Sequence, residues 1–549
     1  MDYDILVVGA GIAGLTCAAY ASKYGYKVLV CEKEASIGGL VTSFDYKGFT
    51  FDGGIRAIEN SGIVFPMLRQ LGIHIDFVKN NVSIGIENQV LRLTSKDSLA
   101  DYQKLLKDQF PESCDDIDKI IIEIKRVMQY MDVLYGIENP LFMDNMNDPK
   151  YLSGTILPWL FKYLTTIGKI EKLNIPIDEY LAGITKNQTL IDMIAQHFFT
   201  KTPAFFALSY FSLYLDYQYP LGGTGVITRE LARSAVDHGC EIRTETAVCQ
   251  VNPQTRTVKD ALGNEYHYKK LIWASDLKSL YKMIDAGAIS NTKIRNRVIA
   301  QQKAVTDKIG GDSIFTLYVT LDMDKKFFDS ISSAHFFYTP YKKGLQHVRL
   351  QDIAADASVT VASGVGAAVA VTSGYTNDRQ AITAWLQKYF EYTTYEIACP
   401  ALRDPSLAPE GETGLIISTL MDYSIVKHIF EKGWYEEFKK MGEEMMISVL
   451  DASIFPGMKD AVIDRFSSTP LTIEKVTGNS EGAITGWSFT NSFIPVVSSF
   501  PKIASSILTP IPDVLQAGQW SYSPSGLPIS ILTGKLAADK AHKQLKKDK

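Results

Sequence analysis

The chain has 549 residues, is 46% hydrophobic and 21% charged, and carries a formal net charge of −5. That length holds more than one core, and the absence of a basic surplus argues against a nucleic-acid-binding protein. The six cysteines show neither a CxxC pair nor zinc spacing, and no uninterrupted apolar run reaches the ~20 residues of a spanning helix. Cys17, Cys31, Cys240 and Cys249 lie in or beside apolar segments. Buried free thiols in a reducing, cytoplasmic setting are therefore expected. The first strand starts at the N-terminus and leaves no room for a signal peptide, which fits that setting.

Residues 4–8 form an apolar run of strand length, followed by Gly9-Ala10-Gly11-Ile12-Ala13-Gly14. An Ala-rich helix over 15–24 and a buried strand over 27–31 come next, and that strand ends in Glu32. Strand, glycine turn, helix, strand and acid together make a dinucleotide-binding βαβ unit. Gly9 permits the tight turn, Gly11 lets backbone approach a pyrophosphate, and Gly14 lets the helix lie close to the strand. The helix N-terminus offers free N–H groups and a positive dipole end to the phosphates, and Glu32 is placed to accept the ribose hydroxyls. Two more glycine turns follow, Gly38-Gly39 and Gly53-Gly54, both suited to backbone passing close to a flat ligand.

This pattern of fingerprint, acid, Gly-Gly turn and Asp52-x-Gly54 resembles the flavoproteins of the amine oxidase and carotenoid desaturase type. The resemblance implies FAD. It also implies an α/β fold: a Rossmann-type, glutathione-reductase-like FAD-binding domain with a discontinuous mixed-sheet and helical substrate domain. The expected division is 1–90, 215–290 and 465–549 for FAD, and 91–214 and 291–464 for substrate. The residues that the resemblance places at the cofactor begin with Gly9, Gly11, Ile12, Ala13, Gly14, Glu32 and Lys33. Gly38, Gly39, Leu40, Gly54, Ile55 and Arg56 follow from the next two turns. Segment 55–60 lines the isoalloxazine in that family, which makes Arg56 and Glu59 candidates for substrate or flavin contact. A simple Arg56–Glu59 salt bridge at a domain seam is an equal reading.

Farther along, residues 68–93 alternate short apolar stretches with turns and predict strands that open the second domain. Helical spacing recurs over 118–131, 157–173 and 189–199. The aromatic-rich stretch from Trp159 to Tyr214 reads mainly as helical core. Gly222-Gly223-Thr224-Gly225 lacks a preceding strand and a following acid, so it is not a second nucleotide loop. The resemblance places Val248 at the adenine and makes 271–276 a closing strand containing Ala274. Residues 313–321 and 414–420 read as strands, 434–450 as an amphipathic helix, and 361–370 as a small-residue tract.

The run Thr469-Pro470-Leu471-Thr472 through Gly482-Ala483-Ile484-Thr485-Gly486-Trp487 resembles carotenoid desaturases, carotenoid isomerases and retinol saturases more than amine oxidases. A strand over 512–518 then leads through Gly518, Gln519, Gly526, Leu527 and Pro528 into a last helix, all at the flavin by the same resemblance. The family usually has Gly-Asp where this chain has Gly518-Gln519, and Gln brings no charge.

The activity implied is FAD-dependent desaturation or saturation of a carbon–carbon bond in an apolar polyene, isoprenoid or other lipid, with hydride transfer at flavin N5. Arg56, Glu59 and Tyr522 are the candidate catalytic contacts, and no metal cluster is readable. A redox-neutral lipid isomerase, an amine oxidase and a non-enzymatic prenyl-lipid escort protein are the alternatives. With no second dinucleotide fingerprint, a separate redox partner (oxygen, a quinone or a reductase) is expected. The apolar, proline-broken stretch 489–508, the Trp159 region and the Lys-rich tail make a peripheral membrane surface a further expectation; a buried loop over the active site is the other reading of 489–508.

Overall fold

The computed structural model describes residues 2–143, 149–355 and 374–547, so the 361–370 tract lies outside the described residues. The chain begins with β1 (Asp2–Val8), α1 (Ile12–Lys23) and β2 (Val28–Cys31). β1 and β2 pair in parallel, and both are buried on the two faces of a seven-stranded sheet, which explains their uninterrupted apolar runs. The strand Glu265–Trp273 lies on the other side of β1, also in parallel. Its first half pairs with the antiparallel hairpin of 248–252 and 257–260, and its last three residues pair with Val514–Gln516. This strand therefore sits inside the sheet, whereas the resemblance read it as closing one.

Helix α1 is built of small residues because it is held between neighbours. A Cβ on Gly534 of the final helix Leu527–Lys547 would lie 2.4 Å from the Ala13 carbonyl oxygen. The two helices therefore approach at a distance that only glycine allows there.

A second seven-stranded sheet runs in the order 462–468, 313–321, 413–421, 395–398, 335–339, 82–86, 89–93. The hairpin 82–93 belongs to this sheet, so the chain crosses between sheets before residue 82, rather than after residue 90. Residues 64–71 form a helix, so the strands expected over 68–93 begin only after it, because Val64, Met67, Leu68 and Leu71 fall on one buried face. A helical layer covers one end, with Ile117, Ile120, Ile124, Val127 and Met131 packed in a common core with Ala204, Leu208 and Phe211. All six cysteines are free, but Cys249 is exposed. It occupies the outward position beside Val248, where the strand register shifts.

Candidate functional site

The site starts at the first glycine turn. Gly9 has φ +101° and donates its N–H to the Cys31 carbonyl at 2.8 Å. A Cβ on Gly14 would fall 1.9 Å from the Gly9 oxygen, which makes Gly14 obligatory for this helix–turn contact. At Gly11 the same test meets nothing within 4 Å. The backbone there faces open space at the N-terminus of α1, where a phosphate would be held. Gly38 donates to the Ala10 carbonyl at 2.9 Å, and a Cβ on Gly39 would reach the Gly11 Cα at 3.5 Å, so the two glycine turns lie side by side.

Glu32 is pinned in this cradle. It accepts from Ala10 N at 2.7 Å and Glu34 N at 3.0 Å, one bond on each carboxylate oxygen. Further acceptor capacity remains on both oxygens for two hydroxyls. Lys33 turns elsewhere, donating to the Lys475 carbonyl at 2.7 Å and pairing with Glu34 at 3.0 Å. Val248 has its side chain in the core beneath the sheet. Ala274 donates to Val8 O and packs against Gly9, with its carbonyl 3.0 Å from the position of a Gly9 Cβ.

Asp52 explains the next pair of glycines and the loop at 222–225. It is 1% exposed and accepts from Ser43 Oγ, Tyr219 OH, Thr224 N and Thr224 Oγ1 at 2.8–2.9 Å. The 222–225 loop is thus committed to bracing the 43–52 hairpin. Ile55 N donates to Leu40 O at 3.0 Å, and a Cβ on Gly54 would lie 2.2 Å from that oxygen. Leu40, Gly54 and Ile55 form one wall of a cavity of about 290 Å³, together with Ile12, Arg56, Gln519, Gly526 and Leu527. Gly518 has φ +92°, donates to Thr533 Oγ1 at 2.9 Å and seats next to Ala13, which fixes where Gln519 enters the wall. Pro528 is buried just inside the closing helix. The open face at Gly11, the helix N-terminus, the pinned acid and this adjoining cavity fit a dinucleotide such as FAD.

The opposite wall is the second sheet, with aromatic side chains from the helical layer. Tyr210, Tyr214, Tyr217, Phe198 and Phe199 meet Tyr318 and Phe337 around it. A polar row crosses this wall. Thr316, Ser418 and Glu396 are cross-strand partners, and the Arg56 guanidinium reaches over them. It donates to Ser418 Oγ at 2.6 Å and Glu396 Oε2 at 3.1 Å. His335 Nε2 lies 3.0 Å from Glu396 Oε1. Burial opposes ionisation of Glu396, but the charges of Arg56 and Arg403 work against burial and keep the carboxyl below its ordinary value. Burial keeps both histidines of this wall neutral, His197 at about 4 and His335 below its ordinary value despite Glu396.

Arg56 is therefore paired, and its partner is Glu396 rather than Glu59. Glu59 has its Oε1 3.8 Å from the position of a Gly526 Cβ, at the start of the closing helix. Burial, aided by the charge of Asp216, lifts its carboxyl to about 7. Tyr522 does not line the cavity. It is 3% exposed and its backbone bridges to Val497, so the loop it belongs to holds it away from the cavity wall.

Glu396, His335 and His197 had no local sequence signal. Tyr395-Glu396-Ile397 is an ordinary strand alternation, and only the sheet pairing brings it opposite Arg56, 340 residues away. Among the described residues no cluster suited to a metal ion occurs.

Comparison with known proteins agrees with this architecture. Residues 7–71 match the NAD(P)-binding Rossmann-like domain family. The chain is 22% identical over 502 residues to the chloroplastic prolycopene isomerase of Daucus carota, covering 88% of this chain and 71% of that one. It is 19% identical over 570 residues to a 4,4'-diapophytoene desaturase of Staphylococcus aureus, covering 99% of each. Among solved structures, an oxidoreductase from Methanosarcina mazei superposes with a TM-score of 0.60 at 15% identity, covering 99% of this chain and 100% of that one. Cyclohexylamine oxidase from Brevibacterium oxydans gives 0.56 at 11% identity, over 100% of both. In sequence the chain is similar to prolycopene isomerases and a diapophytoene desaturase, and it shares its fold with cyclohexylamine oxidase.

Proposed function

We propose that the protein uses FAD to add, remove or rearrange a carbon–carbon double bond in an apolar, unsaturated lipid. The observation that carries this reading is the continuity of one cavity. Its walls run from the dinucleotide cradle at Ile12, Leu40 and Gly54 to an aromatic chamber at Tyr210, Tyr214, Phe337 and Tyr318. When bound, FAD supplies hydride donation or acceptance at N5.

The chain's residues do the rest. Gly11, Glu32 and the N-terminus of α1 hold the dinucleotide, and Leu40, Gly54, Gln519 and Leu527 border the cavity beside it. The aromatic walls exclude water and align a flat, extended chain. Glu59 sits at Gly526 with a carboxyl that changes charge near neutrality, so it is the group placed to give or take the proton. Electrons come from, or leave to, a separate partner: oxygen, a quinone or a reductase.

An exposed apolar face supports lipid delivery from a membrane surface. The helix Leu157–Glu171 turns Leu157, Phe161 and Leu164 outward at 60%, 72% and 61% exposure, with Lys162 and Lys169 beside them. Phe493 is also exposed in the 489–508 segment. No helix among the described residues is long and apolar enough to cross a membrane.

Mass analysis of a polyene after anaerobic incubation with the purified protein tests the reading. A gain or loss of two hydrogens assigns saturation or desaturation, and an altered isomer of unchanged mass assigns the isomerase. An unchanged lipid under both oxidised and reduced conditions would contradict all three.

A further inference from the structure

Glu396 is anomalous for a residue in the middle of a sheet. Its neighbours Tyr395 and Ile397 are 0% and 3% exposed, yet the Glu396 side chain is 31% exposed, and the surface it opens onto is the cavity. We propose that Glu396 is a recognition subsite that accepts a hydrogen bond from a neutral hydroxyl group on the lipid. This deepens the lipid reading above and rests on it.

The valences at this wall select the ligand chemistry. Ser418 Oγ is engaged by Arg56 and Thr316, Thr394 Oγ1 by Thr339 and Gln196, and Thr419 Oγ1 by Thr393. Glu396 accepts one hydrogen bond, from Arg56, and His335 Nε2 is close but off line for a second. Glu396 therefore keeps acceptor capacity, while Tyr214 OH and the His335 ring nitrogens have no partner at the same wall, so the ligand must bring a donor and can also accept, as a hydroxyl does.

Charge narrows the choice further. Arg56 and Arg403 face Glu396. Arg403 lies 3.8 Å above the Tyr219 ring, whose hydroxyl donates to Asp52. Glu396 is thus already matched by the Arg56 guanidinium, at 3.1 Å. An ammonium would add an unbalanced charge, and a carboxylate head would be repelled by Glu396. A hydrocarbon would leave the acceptor unmatched inside an aromatic chamber. A hydroxyl satisfies it without changing the charge.

The test is calorimetric titration of the purified full-length chain with four probes of one length: geranylgeraniol, its methyl ether, geranylgeranylamine and geranylgeranoic acid. The proposal expects the alcohol to bind about tenfold tighter than the ether, the value of one hydrogen bond to a charged acceptor, with the acid weakest. Glu396→Gln should narrow the alcohol-to-ether ratio to about twofold. If loss of the Arg56 partner prevents that variant from folding, the probe series on the unaltered protein still decides. Equal binding of alcohol and ether would overturn the subsite and leave the lipid reading intact. Tightest binding of the amine or the acid would overturn the hydroxyl assignment. Binding of none of the four would overturn the subsite together with the lipid reading.

Discussion

Glu59, beside the cavity-lining Gly526, and Glu396, in the cavity wall, are driven in opposite directions by their surroundings. Glu59 has burial and a neighbouring acid, and rises to about 7; Glu396 has Arg56 across a hydrogen bond and stays ionised. The turnover rate should therefore titrate near pH 7. In the saturating direction Glu59 must be protonated, so the rate falls above 7; in the desaturating direction it must be ionised, so the rate rises. Glu59→Gln should flatten that limb of the pH–rate profile and cut turnover by about 10²-fold or more. A limb that persists in the variant assigns the proton elsewhere. Arg56 is structural as well as local to the site. Arg56→Ala leaves Glu396 without its countercharge and should cost about 3–5 kcal/mol by denaturant titration. His197 gives a stability prediction. Its folded value is depressed to about 4 from 6.5, so stability is lost as pH falls from the unfolded value towards the folded one. His197→Phe should remove that part of the acid limb in melting curves.

At the scale of elements, the glycine turns separate fold from ligand binding. Gly14→Ala places a methyl group on the Gly9 oxygen and should abolish both the turn and flavin retention. Gly11 has φ −73°, open to any L residue, and no protein atom stands in the way of a side chain. Gly11→Val should therefore melt within a few degrees of the unaltered protein but lose its flavin on gel filtration, because only the cradle is filled. The βαβ unit was legible in sequence because all its determinants are local: an apolar run, three spaced glycines, and an acid at the end of the next strand. The same holds for the strands at 313–321 and 413–421 and for the last helix, whose patterns carry their own period. Residues 68–71 were read as the start of the strands at 68–93, but they end a helix whose buried positions, 64, 67, 68 and 71, begin outside that stretch. Tyr522 was misplaced because nothing in its own segment reports the bridge to Val497.

For the whole molecule, the substrate wall is assembled from chain segments separated by hundreds of residues, and no local pattern announces it. His335, Glu396 and Ser418 come from three strands, and Arg56 and His197 from two separate loops. Their convergence depends on the seven-strand order of the second sheet, in which 82–86 pairs with 335–339 and 395–398 with 413–421. The exposed face of the helix Leu157–Glu171 also belongs to this scale. Phe161→Asp should reduce flotation with liposomes by about tenfold while leaving the melting temperature unchanged, since Phe161 is 72% exposed. Equal flotation would remove the membrane from the account.

One cavity is proposed to join a flavin to an unsaturated lipid. The visible spectrum of the purified protein tests it most directly, recorded as isolated, after anaerobic reduction, and after addition of a polyene. The flavin bands should bleach on reduction and return with a lipid alkene, or bleach from the oxidised state with a more saturated lipid. A preparation that stays colourless when supplied with FAD would contradict it.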